Sequence, residues 1–232
     1  MNFHSNFDTT KLSELSVSSR LIYPENRNNK YFKIKYILDL ILVIPALIVL
    51  SPAMLLVMYL IRKNDEGSPF FVQRRIGLNG REFNCYKFRT MVVDAQQRLD
   101  ALLESDPVAA AEWKRDQKLK NDPRITKVGR FLRKTSLDEL PQLWNIMKGD
   151  MSLVGPRPIV QNEIIKYGPF FKYYTSVKPG VSGLWQISGR NNTTYDERVQ
   201  YDVDYAKTYS FLTDTKILFK TLPAVLFSKG AY

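Results

Sequence analysis

The sequence predicts an α+β protein that is mainly helical, with one membrane-inserted helix and a small cytoplasmic domain. Three observations support this fold class: an uncharged apolar run over residues 40–61, a hairpin pattern soon after it, and helical periodicity in much of the remaining chain. We therefore divide the chain into a flexible N-terminal extension (1–33), a membrane helix (34–62) and a cytoplasmic domain (63–232).

The apolar run 40–61 is long enough to cross a bilayer, since its 22 residues would extend about 33 Å as a helix. On apolarity alone, a single transmembrane helix is the simpler interpretation. Basic residues stand at both ends, however: Lys33 and Lys35 precede the run, and Arg62 and Lys63 follow it. The positive-inside rule therefore favours neither orientation of a spanning helix.

Two prolines inside the run favour a bent helix. Pro45 and Pro52 each lack a backbone N–H and tend to kink a helix. The Ser51 hydroxyl can satisfy a backbone group that Pro52 leaves free. A helix that bends at Ser51–Pro52 and enters and leaves by the cytoplasmic face agrees with both the prolines and the basic flanks, so we expect a re-entrant helix.

The first part of the cytoplasmic domain has the pattern of a short β-hairpin. Residues 71–91 read FVQRRIGLNGREFNCYKFRTM, and Asn79–Gly80 is a strong turn signal. Because side chains alternate along a strand, four residues are expected on one face of the second strand: Phe83, Cys85, Lys87 and Arg89.

Helical periodicity dominates the chain after the hairpin. We expect helices over 91–119, with a break near Pro107, over 136–148, and over roughly 196–227. The stretch 155–189 is rich in Gly and Pro and is expected to form loops. The segment KILFKTLPAVLF (216–227) is amphipathic enough to lie at a membrane interface, although an ordinary packed helix fits it too.

The scarce residue types restrict the chemistry. The chain of 232 residues has one cysteine, Cys85, and one histidine, His4. An internal disulfide, a cysteine-rich zinc site and a Ser-His-Asp triad are therefore not expected. The formal charge of +11 indicates an anionic partner such as nucleic acid, a membrane surface or a phosphorylated substrate. Catalysis would depend on carboxylates, Lys, Arg, Tyr or a hard cation, for which Mg²⁺ fits best.

The segment TSLDELPQLWNIMKGD (135–150) places two acids together. Ser136 and Glu139 have capping-box spacing, and Pro141 suits a first helical turn. Asp138 and Glu139 would then lie at the positive end of a helix, where phosphate and metal chemistry is common. First-turn acids usually only stabilise their helix, so this segment alone does not indicate catalysis.

Five motifs together point to one family. They are QRRIG (73–77), YKFRTM (86–91), DPRITKVGRFLRKTSLDELPQLWN (122–145), KGDMSLVGPRP (148–158) and KPGVSGLWQISGRN (178–191). In this order and spacing, they resemble the bacterial sugar transferase family, the monotopic polyprenyl-phosphate phosphoglycosyl transferases. The resemblance extends from about residue 33 to the C-terminus, and it includes a re-entrant helix broken at a Ser-Pro step, here Ser51–Pro52.

The resemblance implies a role for each matching residue. Asp138 would be the nucleophile that attacks the β-phosphorus of a UDP-sugar, and Glu139 would hold Mg²⁺. UMP would leave, and undecaprenyl phosphate would then take the hexose-1-phosphate from Asp138. The residues that match the substrate- and phosphate-binding positions are Lys87, Arg89, Arg133, Arg157 and Arg190, with Gln186 and Asn191 as weaker candidates.

The implied partners are a UDP-hexose of the glucose or galactose type, undecaprenyl phosphate and the bacterial inner membrane, with the catalytic domain on the cytoplasmic face and no nucleic acid. The sequence leaves N-acetylated sugars, the oligomeric state (a homo-oligomer included) and the pathway open among capsule, exopolysaccharide and O-antigen assembly. Two alternatives also stay open: a non-enzymatic basic membrane-anchored protein that binds anions, and a glycosyltransferase that releases UDP rather than UMP.

Overall fold

The computed structural model describes residues 29–116, 118–188 and 193–226. It begins with a 36-residue helix, α1 (Asn29–Asn64), about 54 Å long at the α-helical rise. Its residues Tyr31–Asn64 are apolar and long enough to cross a membrane. The helix starts five residues before the predicted boundary at 34, and most of the predicted extension lies outside the described residues.

The helical pattern continues through Ser51–Pro52. Pro52 has no N–H to donate to the carbonyl of Ile48, one turn earlier. The Ser51 hydroxyl instead donates to the Ile48 carbonyl oxygen at 2.8 Å. The polar group that the proline leaves free is thus satisfied within the helix, which is how a Ser-Pro step becomes tolerable in an apolar environment. A bend at this step stays a prediction.

One face of α1 packs against the rest of the protein along most of its length. Val43 contacts a core cluster that contains Ile146 and Met151, and Ile61 contacts a second cluster with Phe88 and Leu132. The opposite face is apolar but exposed, and it includes Ile41, Ile48, Val49, Leu55 and Leu56. An apolar face of this size without protein contacts indicates a membrane or an interaction surface.

Polar contacts hold the first turns of α1. Lys35 is buried and forms an ion pair with Asp214, which also accepts a hydrogen bond from the Tyr31 hydroxyl at 3.0 Å. Asp39 is buried as well and accepts a hydrogen bond of 2.7 Å from the Ser152 hydroxyl. Since buried charges require partners, these contacts fix the beginning of α1 on the domain that also holds its end.

The predicted hairpin is confirmed. Strands β1 (Phe70–Ile76) and β2 (Glu82–Phe88) pair antiparallel. Asn79 and Gly80 have positive φ angles of 57° and 73°, as a tight turn between twisted strands requires. β2 ends at Phe88, one residue before Arg89, so the expected alternation holds only as far as Lys87.

Helices follow the hairpin much as the sequence indicates. The break at Pro107 is confirmed, since it separates α2 (Ala95–Ser105) from α3 (Pro107–Asp116). The region predicted as one helix over 136–148 is instead a 3₁₀ turn (Leu137–Glu139) followed by a short helix, α5 (Gln142–Met147). Before this turn lies α4 (Lys127–Thr135), whose exposed surface carries basic residues and Phe131.

The loop prediction for 155–189 is wrong in part. Within this stretch, the three-residue strand β4 (Gly180–Ser182) pairs in parallel with β3 (Ser152–Val154), which ends just before the stretch begins. Between and after them are three short helices, α6 (Ile164–Tyr167), α7 (Phe171–Thr175) and α8 (Leu184–Ser188). The tail is helical as predicted, although it divides into α9 (Tyr195–Thr208) and α10 (Phe211–Leu226).

A buried amide joins the hairpin to α5. Asn145 is fully buried, and its side chain donates to the carbonyl of Asn84 at 2.7 Å and accepts from the N–H of Tyr86 at 3.1 Å. These bonds satisfy backbone N–H and C=O groups of β2 on the edge that does not pair with β1. They also fix β2, which carries Lys87, relative to the turn that precedes α5.

Candidate active site

The adjacent acids Asp138 and Glu139 lie in the turn between α4 and α5. The predicted capping box does not form, because Ser136 adopts a left-handed conformation with φ of 56° and ends α4. An N-cap residue needs an extended backbone, so the Ser136 side chain makes no cap hydrogen bond. The acids therefore precede α5 rather than occupy its first turn, and neighbouring cations are their main source of stabilisation.

Lys87 is the cation in direct contact with one of the two acids, Glu139. Its Nζ lies 2.5 Å from Glu139 Oε1. The side chain of Lys87 is 24% exposed and that of Glu139 is 36% exposed, so the pair opens to solvent on one side. Charge-assisted contacts of this kind are among the stronger hydrogen bonds. Since β2 is held by β1 and Asn145, the lysine is delivered to the turn from a rigid strand.

Asp138 is half-buried, and burial raises its pKa from 3.8 to about 6. The positive charge of Lys87 lowers the pKa, the negative charge of Glu139 raises it, and Arg133 lowers it again. Desolvation outweighs the two cations because a carboxylate loses much hydration when it leaves water. A carboxyl group with such a perturbed pKa in an open site is a candidate for catalysis.

Arg133 reaches the site from the last turn of α4. Its Nε donates to the Thr90 hydroxyl oxygen at 2.9 Å. Burial lowers the pKa of Arg133, and the charge of Asp138 is the largest influence in the opposite direction. The structure therefore brings four of the predicted site residues, Lys87, Arg133 and the two acids, into one group of interacting charges.

Arg157 lies in a loop that is fixed on both sides. The loop begins where the N–H of Gly155 donates to Ser182 at 2.8 Å, and a Cβ on Gly155 would come within 2.2 Å of the Lys178 carbonyl oxygen. On its other side, Arg75 Nη1 donates to the carbonyl of Pro158 at 2.8 Å. Arg157 itself is exposed, so its guanidinium is available to an anion.

Within the described ranges, the other predicted residues are not seen in contact with the two acids. Arg89 follows the end of β2 and forms an ion pair with Asp65, beyond the end of α1. It is therefore held as a structural link between α1 and the hairpin. The Gln186 amide donates to the carbonyl of Val181 at 3.2 Å. Arg190 and Asn191 lie outside the described residues.

Two residues near the site carried no predicted role. Arg75 belongs to the quoted QRRIG motif, and its pKa is lowered first by burial and then by the charge of Arg157. Because Gln73 pairs with Cys85 and Phe71 with Lys87, Arg75 shares the hairpin face that carries Lys87. Thr90 belongs to YKFRTM and was missed because a threonine beside an arginine gives no recognisable sequence signal.

The arrangement suits phosphate chemistry. Arginine and lysine side chains bind phosphate oxygens and offset charge that develops on them. A carboxylate beside them can act as a nucleophile or hold a hard cation.

Comparison with known proteins identifies the family. Residues 30–228 match the bacterial sugar transferase family, and the chain belongs to this family. It is 52% identical over 206 residues to an undecaprenyl-phosphate galactose phosphotransferase of Salmonella typhimurium, which covers 89% of this chain and 43% of that protein. It is 49% identical over 199 residues to a UDP-galactose-lipid carrier transferase of Erwinia amylovora, or 86% of this chain and 42% of that protein.

A shorter relative matches over most of both chains. The exopolysaccharide production protein ExoY of Sinorhizobium fredii is 50% identical over 194 residues, which are 84% of this chain and 86% of that protein. The chain spans less than half the length of the Salmonella and Erwinia relatives.

The pKa of Asp138 predicts how activity depends on pH. We expect kcat/KM of a reaction that uses Asp138 as a carboxylate to decrease below about pH 6, where the carboxylate becomes protonated. Lys87→Met removes the largest favourable charge, so the pKa of Asp138 should rise and the acid limb should move to higher pH. Lys87→Arg keeps the charge and serves as the matched control. An acid limb that stays at the same pH in Lys87→Met would contradict the assignment of this limb to Asp138.

Proposed function

We propose that the protein transfers hexose-1-phosphate from a UDP-sugar to undecaprenyl phosphate and releases UMP. The observation that carries this proposal is the half-buried Asp138, placed beside Glu139 and within range of Lys87 and Arg133. The names of the Salmonella and Erwinia relatives describe galactose phosphate transfer or a UDP-galactose-lipid carrier reaction, which supports the same substrate classes here.

The proposed reaction has two displacements at phosphorus. A carboxylate oxygen of Asp138 forms a bond to the β-phosphorus while the bond from that phosphorus to the bridging oxygen breaks, and UMP leaves with the electron pair. The product is a sugar-phosphoryl-aspartate. An oxygen of undecaprenyl phosphate then attacks the same phosphorus, and the bond to Asp138 breaks. Covalent catalysis of this kind divides one difficult transfer into two easier steps.

The cations have complementary roles in this proposal. Lys87 holds Glu139 and keeps part of the Asp138 population ionised. Arg133 and the exposed Arg157 bind phosphoryl oxygens, where the planar guanidinium fork can make two parallel hydrogen bonds. The Arg157 loop is fixed before substrate arrives, so little reorganisation is needed when charge develops.

Mg²⁺ fits the acids that are present. Among the described residues there is no group of three or more His, Cys, Asp or Glu side chains that could hold a metal by themselves. Mg²⁺ commonly takes only one or two protein carboxylates and completes its shell with water and substrate phosphates. Glu139 would supply the carboxylate, with one oxygen held by Lys87. Bound there, the ion would neutralise charge on the phosphoryl oxygens.

We propose that α1 is re-entrant and that the domain lies on the cytoplasmic face of the inner membrane. Lys35, near the start of α1, pairs with Asp214, and Ile61, near its end, packs against Phe88 and Leu132. A spanning helix would leave its two ends on opposite sides of a hydrocarbon layer of about 30 Å. Contact of both ends with one domain supports an arrangement in which they stay on one side.

We propose that the transferred sugar is galactose or glucose, each as its 1-phosphate. The names of the Salmonella and Erwinia relatives specify galactose. A Xanthomonas relative with 39% identity is named for glucose-1-phosphate transfer. The pathway is proposed to be surface polysaccharide assembly, as the name of the Sinorhizobium relative suggests for that protein.

The covalent step is tested with a UDP-sugar labelled at the β-phosphate. Without lipid acceptor, the wild-type protein should release one limited burst of UMP and retain label, which peptide mapping should locate on Asp138. Undecaprenyl phosphate should then discharge the label into lipid. Asp138→Asn should reduce turnover by at least about 10³-fold, because an amide is nearly isosteric but not nucleophilic.

Several outcomes would contradict the covalent step. Release of UDP would indicate transfer of the sugar without its phosphate. Normal turnover without retained label would indicate direct transfer, and label on another residue would move the nucleophile. Glu139→Gln is the matched amide variant, and its defect should decrease at high Mg²⁺ concentration while that of Asp138→Asn should not.

Metal dependence is a separate prediction. EDTA should abolish UMP release, and added Mg²⁺ should restore it, because the site offers carboxylate and phosphate oxygens. Lys87→Met should alter the Mg²⁺ concentration at half-maximal activity, since it frees the Glu139 oxygen that the lysine holds. Full activity in metal-stripped buffer would refute the role of a divalent cation.

The membrane arrangement is tested with single cysteines in a Cys85→Ala background. Lys30→Cys and Asn64→Cys lie at the two ends of α1 and should both resist an impermeant thiol reagent in intact cells, then react after permeabilisation. Ile48→Cys, on the exposed apolar face, should stay unreactive until detergent removes the membrane. Labelling of only one flank in intact cells would establish a spanning helix, and labelling of position 48 in permeabilised cells would place that face in water.

A further inference from the structure

Thr90 lies where the hairpin meets α4. It is buried and follows the end of β2 by two residues. Its carbonyl oxygen accepts a hydrogen bond of 3.0 Å from the N–H of Thr126, the residue whose side chain caps α4 by accepting from the N–H of Gly129 at 2.8 Å. The start of α4 is thus hydrogen-bonded to the backbone of Thr90.

Gly129 allows this close contact. A Cβ at this position would lie 1.9 Å from the Thr90 carbonyl oxygen and 2.7 Å from its Cα. Any larger residue would therefore push α4 away from Thr90. The first turn of α4 is held against the hairpin by backbone atoms, which cannot rearrange as side chains do.

The same contact places Arg133 one turn further along α4. Its Nε donates to the Thr90 hydroxyl oxygen at 2.9 Å. Within the described part of the chain, neither Nη group of Arg133 makes a hydrogen bond, and neither is among the buried polar atoms without a partner. The guanidinium is therefore anchored by its inner nitrogen, while its outer nitrogens stay accessible beside Asp138.

We propose that Thr90 is a positioning residue, which acts on the reaction by orienting Arg133 toward the substrate phosphate. An arginine side chain has many rotamers, and holding it in one before substrate binds reduces the entropy lost on binding. Thr90 does not touch the substrate in this arrangement. The inference rests on the proposed function, because it assigns Arg133 to the phosphate that is transferred.

The test compares variants that differ in the Thr90 hydroxyl. Thr90→Val keeps the shape and removes the hydroxyl, and kcat/KM for UMP release should decrease about tenfold or more, since a hydrogen bond to a charged group is lost. Thr90→Ser keeps the hydroxyl and should recover most of this activity. If Thr90→Val disturbs folding, Thr90→Ala can be compared with Thr90→Ser instead, since the two differ in the hydroxyl. Thr175→Val removes another buried threonine hydroxyl, which bonds within its own helix, and should leave activity within about twofold.

A double-mutant cycle with Arg133→Met separates positioning from a general structural effect. If Thr90 acts through Arg133, Thr90→Val should change kcat/KM by less than about twofold once Arg133 is absent. A loss that persists in full in the Arg133→Met background would overturn the proposal. So would equal activities of Thr90→Ser and Thr90→Ala.

Measuring the Kd for UDP by calorimetry in the variants of the same cycle separates this inference from the proposed reaction. Wild-type protein that binds UDP but never releases UMP from any UDP-sugar would refute the proposed function. Coupling between Thr90 and Arg133 in the Kd would still support the positioning role. Independent effects of the two substitutions on both kcat/KM and Kd, or no effect of Thr90→Val on either, would refute it.

Discussion

The desolvation of one carboxyl group is the constraint on which the site depends. Asp138 is withdrawn from water far enough to raise its pKa to about 6, and that position is tolerable only because cations arrive from two separate elements. Lys87 comes from β2 and Arg133 from α4. Strand β2 is held by β1 and Asn145, and the start of α4 is held against the hairpin through Thr90, Thr126 and Gly129. The hairpin and α4 therefore act as one support, which brings two cations to a partly buried carboxyl group whose ionised form they favour.

Local signals in the sequence predict much of this support. The hairpin follows from alternation and from Asn79–Gly80, which have the left-handed conformations that such a turn needs. The break at Pro107 follows from the missing N–H and ring clash of proline. These features depend on neighbours only a few residues apart, and the structure agrees with them. A catalytic role for the adjacent acids is predicted only through the resemblance of five separate motifs to one family, because acids near a helix start are common in proteins of every function.

The remaining features depend on competing local signals or on contacts between distant residues. Ser136 and Glu139 have the spacing of a capping box, but the end of α4 competes for Ser136 and places it in a left-handed conformation. Strands β3 and β4 are three residues long and lie more than twenty residues apart, so neither has a period to recognise. Arg89 would share the face of Lys87 if β2 continued, but the strand ends at Phe88. The Arg89 guanidinium instead forms an ion pair with Asp65. For Ser136 one local signal overrides another, whereas for the two strands and Arg89 a tertiary contact overrides a local preference.

Helix α1 and the candidate site are also coupled through shared packing. Ile61 of α1 contacts Phe88 and Leu132, which lie one residue from Lys87 in β2 and one residue from Arg133 in α4. Val43 packs on Ile146 in α5, the helix that follows the acids. A change in the depth or angle of α1 would therefore move the elements that carry all four charged groups. In the proposed reaction one substrate is a phosphate on a membrane lipid, so its phosphorus-bound oxygen must arrive at a fixed height. In the proposed membrane arrangement, packing the site directly on α1 sets that height by the same contacts that set the distance between Asp138 and its cations.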